Sequence, residues 1–206
     1  RLWPAELPPL DALAASAEAG GPVAGDRLLD ARLHPLAKLA AVLQDLAGWH
    51  KAAGRSTAAL AAHLERLSRL HQGLADAEAR ARLRAQLSEL AAAPGPAQAS
   101  AQATLAELLQ QEYQERPDPE GQLARAYAIA AQGARRSPES PGGRRCRAIA
   151  QALAAPEFEL AGQAVDATGR PALQVAHRNL SALHLRAHPY DPVARLLGGQ
   201  DELHPS

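Results

Sequence analysis

Apolar residues recur every three or four positions through the middle of the chain and every second position near its C-terminal part, and the change of period predicts helices followed by strands. From Pro35, the series Leu36, Leu39, Leu43, Leu46 and His50 predicts an amphipathic helix with those side chains turned inward, and Gly54 stands where a C-terminal cap belongs. Ser56 is placed to N-cap a second helix carrying Leu60, Leu64, Leu67, Leu70 and Leu74. So short a link makes the two an antiparallel hairpin. A third helix, residues 76–90, turns Leu83, Leu87 and Leu90 inward and is closed by Pro94, Gly95 and Pro96; a fourth, residues 97–114, carries Leu105, Leu108, Leu109 and Tyr113.

Asp118, Pro119 and Glu120 form a restart signal, because an acidic cap, a proline at the first helical position and a second carboxylate all suit a helix N-terminus. The fifth helix that follows holds Leu123, Ala126, Tyr127, Ala130 and Ala134, and its alanine face permits close approach to a neighbour. Ser140 and Pro141 start a sixth in the same way, with Cys146, Ile149, Ala150 and Leu153 on one face until Pro156 ends it. Beyond that proline, Phe158 and Leu160, then Leu173, Val175 and His177, then Leu183, Leu185 and Ala187 are each spaced by two, as strands with one buried face require.

These elements predict a mainly α protein with a small β part: helical hairpins followed by a few antiparallel strands of an incomplete β-sandwich. Residues 1–34, rich in proline and glycine apart from a short helical stretch at 11–18, read as an irregular lead-in; 35–154 as the helical-hairpin region; and 155–206 as a partial β-domain. The fourth and fifth helices, with a short link and a proline just past the second, resemble a tetratricopeptide-type hairpin, which buries its apolar face only by stacking on its neighbours. The helical region therefore reads as three hairpins in a solenoid-like or bundled array.

The helix-to-strand junction resembles a second family. Gly143 with Cys146, then Pro156, Phe158 and Leu160, then Gly169, Pro171 and Leu173, then His177, Asn179 and Leu180, and last Leu183, Leu185 and Arg186 follow the order seen in bacterial alpha-2-macroglobulin-like proteins with a helical region ahead of the first macroglobulin domain. The resemblance implies an N-terminal piece of a large periplasmic or cell-envelope protein that traps proteinases by collapsing around a cleaved bait segment. The segment would then be a non-catalytic scaffold contacting other domains of the same parent chain, proteinases or an envelope protein. The absent initiator methionine and the polar residues 200–206 accord with an excised piece. The alternative is a tetratricopeptide-like adaptor that binds a protein or peptide partner.

Composition narrows the chemistry. The chain of 206 residues is 47% hydrophobic but only 3% aromatic, so alanine and leucine supply the apolar surface and favour close-packed helices over aromatic-lined cofactor pockets. Lys plus Arg equals Asp plus Glu at 22 each, and the clusters at Arg80, Arg82 and Arg84 and at Arg144, Arg145 and Arg147 lack the aromatic platforms of a nucleic-acid surface. Glu78 is spaced to pair with Arg82. No apolar run approaches the ~18 residues of a membrane helix, and no signal peptide is present in these residues. One cysteine, Cys146, excludes an internal disulfide, and its place on an apolar stripe makes it a buried structural side chain.

Among the 8 histidines, His184 and His188 share a face of a predicted strand with His177 on its neighbour, a possible metal trio that lacks any cysteine or carboxylate at ligand spacing. His50, His63 and His71 read as packed or partly exposed helical residues. Gly142 and Gly143 open a helix where an anion is able to bind, although helix packing uses the same residues. Glu157 and Glu159 share the wet side of a strand. No nucleophile elbow, phosphate loop, dinucleotide fingerprint or thioester motif occurs. No enzyme, no cofactor, no metal and no catalytic residue are therefore expected.

Overall fold

A computed structural model describes residues 34–117, 121–163 and 172–186. Among them are six helices, α1 (Pro35–Ala52), α2 (Ser56–Gly73), α3 (Ala77–Ala92), α4 (Gln98–Glu115), α5 (Gln122–Arg136) and α6 (Pro141–Ala154), followed by two strands, β1 (Glu157–Gln163) and β2 (Ala172–Arg178). The protein is mainly α with a small antiparallel β part, as the two periodicities predict. It divides into two compact units, Arg1–Ala154 and Ala155–Ser206. The predicted lead-in, apart from His34, and the restart signal at Asp118, Pro119 and Glu120 lie outside the described residues.

Local chemistry explains several helix ends. Asp76 N-caps α3, its carboxylate accepting from the Glu78 amide at 3.1 Å and the Ala79 amide at 3.3 Å. Ser140 does the same for α6, its hydroxyl accepting from the Gly143 amide at 2.9 Å. Gly54, with φ of 71°, turns the chain after α1, a conformation that costs glycine little. Ser56 is not the cap of α2. It is the first helical residue, behind Arg55, which makes no side-chain cap bond and instead lays its guanidinium over the Trp49 ring at 3.9 Å.

The core of the first unit is continuous from α1 to α6. Leu64, Leu67, Leu70 and Leu74 of α2 and its C-cap meet Leu83 and Leu87 of α3, Leu105, Leu108 and Leu109 of α4, and Cys146, Ile149 and Leu153 of α6. Each leucine so buried contributes about 1.5–3 kcal/mol against the exposed state. α4 is the hub: it packs against α3, α5 and α6 and touches α2, and Ala99, Ala101, Gln102, Ala103, Thr104, Leu105, Ala106, Leu108 and Leu109 are all buried. Small residues let its neighbours approach on several sides. At Gly133 of α5 an added Cβ would stand 2.5 Å from the Cys146 sulfur.

α1 departs from its predicted face. Ala37 and Ala40 are its buried residues, whereas Leu39 and Leu46 are 39% and 40% exposed. Among the described helices α1 packs chiefly against α2, and one main neighbour covers a narrower stripe than five inward residues supply.

In the second unit β1 and β2 form an antiparallel hairpin with Phe158 opposite His177, Leu160 opposite Val175 and Gly162 opposite Leu173. Phe158, Leu160, Leu173, Val175 and His177 therefore share one face. That face is not buried as the period predicts: Phe158, Leu160 and Leu173 are 54%, 45% and 50% exposed. Two strands make one layer, and an apolar sheet face is buried only by a second layer. The predicted strand at residues 183–186 does not form. Asn179 takes φ of 56° and donates from its side chain to the Ala155 carbonyl at 3.0 Å, which turns the chain out of the ladder. Ala187 lies outside the described residues.

Candidate functional site

The alternating directions of the six helices bring the N-termini of α2, α4 and α6 to one end of the helical unit, and a groove of about 420 Å³ opens between them. Ser56 and Thr57 contribute from the start of α2, Pro96 and Ala97 from the turn into α4, and Ser140, Pro141 and Gly142 from the start of α6. Leu60, Ala61 and Leu64 of α2 and Ser100 and Thr104 of α4 line it further along those helices. α6 lies directly on α4 here because position 142 is glycine: a Cβ would run into the Ser100 backbone nitrogen. A Cβ at Gly143 would meet the Ser137 carbonyl, so packing accounts for both members of the pair that the sequence offered as an anion site.

The charges of the groove are neutralised in place. Glu107 accepts from Arg145 at 2.6 Å, and Glu65 accepts from Arg69 one turn on at 2.7 Å. The Thr104 hydroxyl donates to the Ser100 carbonyl at 3.1 Å. Neither histidine nor cysteine is among the lining residues. The lining is made of hydroxyls, small apolar side chains and paired charges.

A second polar cluster sits between helices on the core side. His71, in the last turn of α2, is fully buried with its Nε2 3.0 Å from Glu112 Oε1 of α4, and Arg84 of α3 donates to both oxygens of that carboxylate at 3.1 and 2.9 Å. Arg80 donates to Glu115 at 2.6 Å beside them and holds that carboxyl below its ordinary range. Burial depresses the His71 pKa, the hydrogen bond that the ring donates to Glu112 working against it, and burial also depresses His63, where Arg66 adds to the effect. Sequence reading placed His71 among packed helical residues but had no signal for its partner Glu112, 41 residues away, or for Arg84, which shares that carboxylate.

The remaining residues weighed from sequence fall apart in space or into packing. Cys146 is buried, its thiol donating to the Ala99 carbonyl at 3.3 Å, and burial pushes its pKa up to about 11. His177 and His184 are exposed, His184 is not on a strand, and His188 lies outside the described residues. Among the described residues no three histidine, cysteine or carboxylate side chains are grouped to hold a metal ion. Glu78 pairs with Arg82 at 2.6 Å, and Glu157 with Arg178 at 2.6 Å, both at the surface. No helix among the described residues is long and apolar enough to cross a membrane. No protein-family model, curated protein or solved structure matches the chain.

Proposed function

We propose that the chain is a non-catalytic scaffold segment of a bacterial alpha-2-macroglobulin-like, proteinase-trapping protein of the periplasm or cell envelope. In this reading the helical unit is a brace, and the hairpin opens a macroglobulin-type β-sandwich completed by other domains of the same parent chain. The observation that carries it is the one-sided hairpin: Phe158, Leu160 and Leu173 present apolar area to solvent on one face, while Glu157 and Arg178 pair on the other. Such a layer is stable when a second sheet covers its apolar side. The parent polypeptide, incubated with a broad-specificity proteinase, is expected to block cleavage of casein while leaving cleavage of a small chromogenic peptide intact. The 206-residue segment alone should block neither. Unimpeded casein cleavage in the presence of the parent would sink the reading.

The groove favours a second reading, a tetratricopeptide-like adaptor that holds a protein segment in extended form. α2, α4 and α6 touch in sequence along one layer, as the groove-lining helices of a solenoid do, and a groove of about 420 Å³ runs across their starts. Peptides selected against the intact chain should lose binding to the Ala61→Arg variant, which fills the groove from an exposed position. Selected peptides that bind both proteins equally would exclude it.

A further inference from the structure

The α1–α2 hairpin meets the other described helices chiefly through α2, and His71 stands at that junction. With a carboxylate facing Nε2 at 3.0 Å, that nitrogen carries the proton and donates to Glu112. Nδ1 is buried and has no hydrogen-bond partner. The neutral ring thus leaves only a bare lone pair, whereas the charged ring would bury an N–H with nothing to receive it, which is the costlier defect. The charged groups around the ring are Arg80 and Arg84 from α3 and Glu112 and Glu115 from α4; α1 brings the apolar Leu36 against Gly73 at the end of α2. Glu112 is committed to Arg84 through both oxygens, so its charge is already shared before His71 gains a proton.

We propose that His71, Glu112 and Arg84 form an acid-sensitive latch, in which protonation of His71 releases the α1–α2 hairpin from α3 and α4. The direction follows from linkage. A released ring titrates near the ordinary 6.5, and the latched ring lies below it, so below that pH the open form binds more protons and gains on the closed one. For a single proton the opening constant rises by up to about tenfold per pH unit, until the latched ring itself titrates.

Amide hydrogen exchange of the whole chain, read by mass spectrometry from pH 7.5 to 5 and corrected for intrinsic rate, tests this. Protection in α1 and α2 should fall by up to about tenfold per pH unit below about 6.5 while α5 and α6 hold theirs. His71→Gln, which keeps a donor toward Glu112 and does not titrate, should flatten the profile; His63→Gln, which removes a ring whose pKa burial also depresses, should leave most of it. Parallel profiles for wild type and H71Q, a profile abolished by H63Q instead, or equal loss in α5 and α6 would each overturn the latch. Should H71Q fail to fold, ring titration of His71 in the wild type decides: a neutral ring at pH 6 is required, and a charged one refutes the proposal.

Discussion

α4 and the β1–β2 hairpin carry similar proportions of apolar side chains, yet α4 is buried on nearly every side and the hairpin exposes most of its apolar face. The difference lies in where each element's backbone hydrogen bonds are made. A helix satisfies its own, so alanine-rich helices can be stacked in any number around a hub such as α4. A two-stranded ladder satisfies half of its bonds and still needs a second layer over its apolar face. The helical unit therefore holds its stability in internal packing, while the hairpin's apolar residues contribute little until something covers them.

Truncation in the hub should cost most. Leu109→Ala, at a position 2% exposed among α3, α4 and α6 core residues, is expected to lower unfolding free energy by about 3 kcal/mol in urea titration. Gly142→Ala comes next, about 2 kcal/mol, because the new methyl must push α6 away from the Ser100 backbone. The same experiment on Phe158→Ser, although it removes the only phenylalanine, should stay within about 0.5 kcal/mol, since that ring is 54% exposed. A large loss in F158S would erase the contrast, and a negligible one in L109A would show that α4 is no hub.

Legibility followed the same divide. Where a helix is covered broadly, as in α2, most of the leucine series in the sequence is buried: Leu64, Leu67, Leu70 and Leu74 are, and Leu60 is half-buried. Where cover is one-sided, as in α1, periodicity selected Leu39 and Leu46, and packing chose Ala37 and Ala40 instead. The strand period located Phe158, Leu160, Leu173 and Val175 on one face but carried no information on whether a second layer lies against it. Leu183 and Leu185 keep the period without forming a strand, because a ladder requires a partner and Asn179 has already turned the chain away. The groove was invisible from sequence, since its Ser56, Ser100 and Ser140 belong to three different helix starts.

Local chemistry alone determined the six helices among the described residues, the hairpin links, the start at Ser140 and the switch to strand after Pro156, because each depends on backbone preferences within a few residues. Only the tertiary structure decided which face of α1 is covered, which glycines are close contacts, and that His71 of α2 shares Glu112 of α4 with Arg84 of α3. Those depend on which helices become neighbours, and burial and charge pairing are properties of the neighbours rather than of the segment that carries the side chain.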